Sequence, residues 1–383
     1  MPLLFRLDSA PLPTTWVSLM KPSERPDPIL DSRELALIAK LASAYAKFVE
    51  PGPIARSLAK IQKLIVLITP DKVRDLATRA VDAAMEADLI KLALNHASKG
   101  FGELTKQASR FTHSPDGILQ TLRSDGHAVH SYEAVCMMRS YRIEQALSTR
   151  EWKDLCAALI EGAATGAPGF VGVPFNLALS FLLYFRATQS TALYYGYDVR
   201  NDPHELQFAA EVTLTSLDPN IEKGAETLGG LIGKMMLAAE LSALSKGLTK
   251  SYAQMAERGG AELLYVQIRA LANKAAETAL KGSGRGGMEA GIFRNMLEQV
   301  GKRLPKEAGK KAVPLLGAVI GGLCDTYLMH RVLTGANLIY HKRFLHEKEA
   351  RVEYLFDTIR QKSTRGSKQA RQRKRKRRPE SGE

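Results

Sequence analysis

From Phe175 to Tyr195 the chain is apolar on nearly every side of a helix: Leu177, Leu179, Phe181, Leu182, Leu183, Tyr184 and Phe185 leave no continuous polar face. A helix of that kind has to be surrounded, because no face of it is suited to water. Its surroundings are either the centre of a protein or lipid. A bilayer span needs about 20 mainly apolar residues, and Arg186 and Gln189 interrupt this run near its middle. An arginine at mid-bilayer costs at least ~2.5 kcal/mol on insertion scales. Two readings therefore stay open, a buried central helix of a bundle and shallow or conditional membrane insertion.

The rest of the chain is also helical in pattern. Leu35, Leu37, Ile38, Leu41 and Tyr45 are placed on one stripe, and Leu76, Val81, Ala84, Leu89 and Leu92 continue beyond Pro70. Helical reading suits 129–147, 150–164, 174–195, 203–217, 225–245, 249–280 and 288–302, with a long stretch from 312 into 361. β-Branched runs of period two barely occur outside Val171–Val173 and Val212–Thr215. The expected fold is all-α, a multi-helix bundle with a central, very apolar helix pair and no significant sheet. With 383 residues and 45% apolar content there is enough material for a real core.

Three parts are expected. Residues 1–30 hold six prolines, too closely spaced for a helix, and form an extended arm. Residues 31–361 form the helical domain. Residues 362–383 carry ten Lys and Arg against two Glu, +8 of the chain's +14, and form a disordered basic tail with no aromatic residue to stack a base. The N-terminus lacks the charged start and long apolar run of a signal peptide, so a cytoplasmic protein is expected.

Two glycine-punctuated segments stand out. Gly166, Gly169 and Gly172 recur at every third position before Pro174, which can open the apolar helix, and they form a candidate functional loop. Near the other end, Gly317 and Gly321 stand four apart in Val313–Leu323, a small-residue groove that lets helices touch. This second segment is too short to span a bilayer alone. Phe181 and Tyr184 of the first helix are the candidate ridges to fill that groove. Between them the chain closes one helix at Tyr195-Gly196-Tyr197-Asp198, with Gly196 suited to a left-handed cap, and opens the next at Asp202-Pro203-His204-Glu205. There Asp202 is a candidate N-cap, with Glu205 completing a capping box, and His204 reads as a solvated first-turn residue.

Those elements in that order, Gly166, Gly169, Gly172, Tyr195 to Asp198, Asp202, Pro203 and Glu205, followed by Lys311, Pro314, Gly317, Ala318, Gly321 and Gly322, resemble the EcsC family of bacterial proteins over roughly residues 130–350. The resemblance implies an accessory, membrane-associated role in a transport or secretion process, with no established catalytic mechanism.

Enzyme signatures are sparse. HExxH, paired CxxC, the Walker A lysine and GxSxG are absent from the sequence. Gly282-Ser283-Gly284-Arg285-Gly286-Gly287 matches GxGxxG but follows a helix instead of a strand, so it reads as a joint and not as a dinucleotide site. His127, His130 and Glu133 are the one compact metal-like cluster, and a metal-dependent enzyme built on them is the weaker alternative. His341 and His346, five apart, point to different helix faces. Cys136, Cys156 and Cys324 read as reduced core residues. No metal and no cofactor is expected.

The last helix repeats Leu338, Leu345, Val352 and Ile359 every seven residues, with Lys342, Arg343, Glu347, Lys348, Glu349 and Arg351 on the other faces, and reads as amphipathic. Beyond it, Arg371, Arg373, Lys374, Arg375, Lys376, Arg377 and Arg378 are the candidate contacts to an anionic surface. The expected function is that of a non-enzymatic helical protein held peripherally at the inner face of the membrane. Its expected partner is the anionic lipid surface or a membrane protein, with nucleic-acid contact by the tail only non-specific. The alternative is a soluble carrier of a lipid-like ligand in an apolar helical pocket.

Overall fold

The structure, a computed structural model, describes residues 25–50, 88–108, 113–148, 173–217, 227–237, 261–282, 287–303 and 322–376. Helices dominate these residues and none of them is in a strand. The all-α expectation holds, and Val212–Thr215, one of two strand candidates, lies inside a helix.

Helix α1, Ser32–Val49, opens on a reciprocal capping box: Asp31 accepts from the Glu34 amide at 2.8 Å, and Glu34 reaches back to the Asp31 amide at 3.3 Å. Its inward stripe is Glu34, Ile38, Leu41 and Tyr45, spaced four, three and four. Leu35, expected on that stripe, is 51% exposed, because the carboxylate one residue before it takes the inward position. Next come α2, Asp88–Lys99, α3, Phe101–Gln107, and α4, Pro115–Ser124. Ser114 caps α4 by accepting from the Gly117 amide at 3.1 Å, with Pro115 as the first helical residue. The helix expected over 129–147 is divided: Glu133–Met137 is a 3-10 turn, and only α5, residues 140–148, is α-helical.

The long elements follow: α6, Val173–Tyr194; α7, Pro203–Leu217; α8, Leu228–Leu237; α9, Ala261–Lys281; α10, Gly287–Arg303; and α11, Gly322–Lys376. Helices α6, α7 and α11 pack on one another and form the centre. Helix α1 lies on α11 and α8, α2 lies on α6 and α10, and α9 lies on α7, α8 and α10. Burial of α6 on every side, from Leu177 to Tyr195 with only Leu179 partly open, is what its pattern requires.

Arg186, the residue least suited to such a helix, has a partner. Its guanidinium takes both carboxylate oxygens of Glu289 on α10, each at 3.1 Å, and donates to the Ala108 carbonyl at 2.8 Å; Gln189 joins the same carboxylate at 3.2 Å. With its side chain 2% exposed, Arg186 sits at a protein–protein helix seam, paired as a buried charge must be. Among the described residues no helix is long and apolar enough to cross a membrane.

Helix α11 departs furthest from its sequence reading. Ten consecutive residues, Ile339 to Lys348, are buried, so Lys342, Arg343, Glu347 and Lys348 lie inside the protein and not on a solvated face. The amphipathic pattern places them outward, and their partners Glu205, Glu347 and Glu34 hold Arg343 and Lys348 inside. Close approach of α11 to its neighbours is made at Gly335. A Cβ there would stand 2.7 Å from the Ser216 Cβ of α7 and 2.9 Å from the Phe48 ring of α1. The groove expected at Gly317 and Gly321 lies outside the described residues, as do Gly166, Gly169 and Gly172; Pro174 is in the first turn of α6. The tail expected to be disordered is helical over 362–376, where α11 continues through Arg, Lys, Gln and Ala, residues that favour the helix. Residues 377–383 lie outside the described residues.

Candidate functional site

The corner between α6 and α7 brings sequence elements together against two turns of α11. Gly196 ends α6 with φ +77°, its amide donating to the Leu193 carbonyl at 3.0 Å and the Tyr197 amide to Ala192 at 3.0 Å. A side chain at Gly196 would be strained there. It would also meet the Arg351 guanidinium at 2.7 Å and Val135 at 3.2 Å. Arg351 donates to the Tyr195 carbonyl at 3.0 Å and the Gly196 carbonyl at 2.7 Å, so a cation caps the negative end of α6. Asp198 closes the next turn by accepting from the amides of Arg200 and Asn201.

Helix α7 then starts at Pro203, with the Asp202 Oδ1 accepting from the His204 amide at 2.8 Å. Glu205 does not complete the expected capping box. It turns inward and accepts two hydrogen bonds from Arg343, at 2.6 and 2.7 Å, while the third guanidinium nitrogen, Nε, donates to Glu347 at 2.8 Å. The Arg343 guanidinium lies 4.0 Å from the Tyr197 ring centroid and 4.4 Å from that of Phe208, and Arg351 lies 4.5 Å from Tyr197. Burial raises the Glu205 carboxyl, but the Arg343 guanidinium and His204 outweigh it and hold the group well below the usual carboxylate range.

One turn further along α11 is a second ionic cluster. Glu34, fully buried, accepts from Lys348 Nζ at 2.6 Å, from the Ser140 amide at 2.8 Å and from Arg139 at 3.0 Å. Arg139 also donates to the carbonyls of Pro28 and Ile29, tying the entry of α1 to the start of α5. The two clusters occupy successive positions, Arg343, Glu347, Lys348 and Arg351, of the same helix.

His341 and His346 flank these cations, and neither ring has a hydrogen-bond partner. Both were placed on different helix faces, and both are buried. Burial pulls His341 down to about 4 and His346, with Lys342 nearby, down to about 3. Both are therefore neutral in the fold at neutral pH, whereas in the unfolded chain each titrates near ~6.5. Their stabilising contribution is complete above that value and is lost as pH falls from there toward 4, at about 1.4 kcal/mol per pH unit for each ring. Urea unfolding at pH 7.5 and 5.5 should show the drop, up to about 3 kcal/mol for the pair. A His341→Phe, His346→Phe protein should lose much of it; equal pH sensitivity in that protein would contradict the assignment.

Other expected site residues fare differently. His127 and the exposed His130 lie in an irregular segment, and only Glu133 opens the 3-10 turn, so their spacing does not bring them onto one helix face. Among the described residues the group that does gather is Asp202, His204 and Glu205, whose donor atoms lie within 4.8 Å of one another. His204, read as solvated, is 6% exposed, because α7 runs through the centre from its first turn. Phe181 and Tyr184 are buried with rings edge-on at 6.0 Å, and the glycine groove they are expected to fill lies outside the described residues. Cys136 is buried and its thiol is pushed up to about 11 by burial, the setting of an inert core cysteine. Arg371, Arg373, Lys374, Arg375 and Lys376 fall in the last turns of α11, and Arg377 and Arg378 outside the described residues.

A family model, that of the EcsC protein family, matches residues 33–345. The chain belongs to the EcsC protein family. The match begins about a hundred residues before the resemblance read from the motifs, so α1 belongs to the family region of this EcsC chain, and Glu34 with it. Compared with curated proteins and with solved structures, the chain gives no match.

Proposed function

We propose that this EcsC-family chain is a non-enzymatic protein that associates peripherally with an anionic membrane surface, or with a membrane-protein partner there, in support of a transport or secretion process. The reading rests on the continuity of α11. The helix that holds the buried ionic clusters runs on to Lys376, and its residues 362–376 hold eight Lys and Arg and no acidic residue. At 1.5 Å per residue that stretch is about 22 Å long. Such a helix gains about 1 kcal/mol per basic residue brought close to anionic lipid, falling off within a Debye length.

Flotation with vesicles tests it. The full chain is expected to rise with phosphatidylglycerol-containing vesicles, less so as salt increases, and to stay behind with neutral vesicles. Removing residues 362–383 is expected to lower binding at least tenfold at low salt, while unfolding stability changes little. A full chain that does not float at low salt, or a truncated chain that floats equally well, overturns the proposal. Preferential capture by RNA over vesicles would mark nucleic acid as the tail's partner instead.

A further inference from the structure

We propose that Asp202, His204 and Glu205 form a binding site for one divalent transition-metal ion of the Zn2+ type. One imidazole and two carboxylates are the donor set that such ions take, whereas Ca2+ and Mg2+ favour oxygen alone. The three come from a single turn, and a donor atom from each lies within 4.8 Å of the others. His204 Nδ1 and Glu205 Oε1 are 3.3 Å apart. Two ligands at ~2.1 Å from a tetrahedral ion stand about 3.4 Å from each other.

A second observation is independent of that gathering. Only 6% of His204 is exposed; its Nδ1 faces Glu205 Oε1 without the alignment of a hydrogen bond, and its Nε2 has no partner. A buried imidazole in that state is costly, and a metal on one nitrogen removes part of the cost. The other ligands are prepared. Asp202 gives one oxygen, Oδ1, to the His204 amide, which leaves Oδ2 for an ion. Arg343 fixes the Glu205 carboxylate through both oxygens, each of which keeps a further lone pair. Its positive charge, whose Nε is turned to Glu347, opposes a cation at Glu205. Asn201 is exposed and Asp202 half-buried, so the ion has a way in and a water can complete its coordination.

The test uses the full chain, stripped with a chelator, titrated with ZnCl2 by calorimetry and analysed for bound zinc after desalting. One equivalent is expected, with Co2+ giving the visible bands of a nitrogen–oxygen site. His204→Gln and Asp202→Asn, each checked for native circular dichroism, should weaken binding at least tenfold, and a His127→Gln, His130→Gln protein should bind as the parent does. No saturable binding by the parent overturns the site, as does loss of binding in the His127, His130 variant with retention in His204→Gln. Because no vesicle enters this measurement, it stands or falls separately from the membrane reading.

Discussion

Replacing Arg343 with methionine is expected to destabilise the fold by about 3–5 kcal/mol, read as a lowered denaturant midpoint at little-changed slope. The guanidinium uses three nitrogens on two carboxylates, Glu205 and Glu347, and all three side chains are at most 7% exposed. Its removal leaves the charged Glu205 carboxylate, and the Glu347 carboxyl that burial pushes up to about 8, without their donor in apolar surroundings that include Tyr197 and Phe208. Most of the effect is the penalty of those orphans, not the net worth of the pair. A protein that also carries Glu205→Gln and Glu347→Leu should therefore recover much of the loss. Arg343→Lys should fall between the two, since an ammonium cannot reproduce the planar fork. A loss below about 1 kcal/mol for Arg343→Met would mean that the cluster is open to water.

Glu34→Leu is expected to cost a similar amount, about 3–5 kcal/mol, by the same logic at the other end of the buried stretch. Lys348 would remain fully buried with its carboxylate gone, and the Ser140 amide would lose its acceptor. Adding Lys348→Met should return a large part of the stability, because the two charges then leave together. Thermal unfolding of the two single variants and the double variant forms a cycle; purely additive losses would show that the 2.6 Å pair is not coupled.

Both effects concern α11, where sequence reading and structure part most clearly. Periodicity gave the helix correctly, and the family resemblance pointed to the Tyr195–Asp198 and Asp202–Glu205 elements that form the other wall of the site. What periodicity could not supply was the direction of the charges. Arg343 meets Glu205, 138 positions away, and Lys348 meets Glu34, 314 positions away. A helix bearing Lys, Arg and Glu among apolar residues reads as amphipathic unless those partners are known. A legible clue was present: Ile339, Tyr340, Phe344 and Leu345 flank His341-Lys342-Arg343 and spread around the helix, leaving no broad polar side. Another was Asp31-Ser32-Arg33-Glu34, which has the spacing of a capping box and marked the start of α1.

By itself the sequence determined the helical class, the left-handed end of α6 at Gly196, the start of α7 at Pro203 and the burial of a helix that has no polar face. These follow from local sterics and from the exclusion of apolar surface from water, and both act within a few residues of the chain. Only the tertiary structure decided that Arg186 sits against Glu289 instead of lipid, that Glu205 abandons its helix cap for Arg343, and that the centre of the bundle is ionic as well as apolar. A charge can be inside a protein only when its counter-charge arrives with it, and that arrival is a property of packing between distant segments, which no local pattern contains.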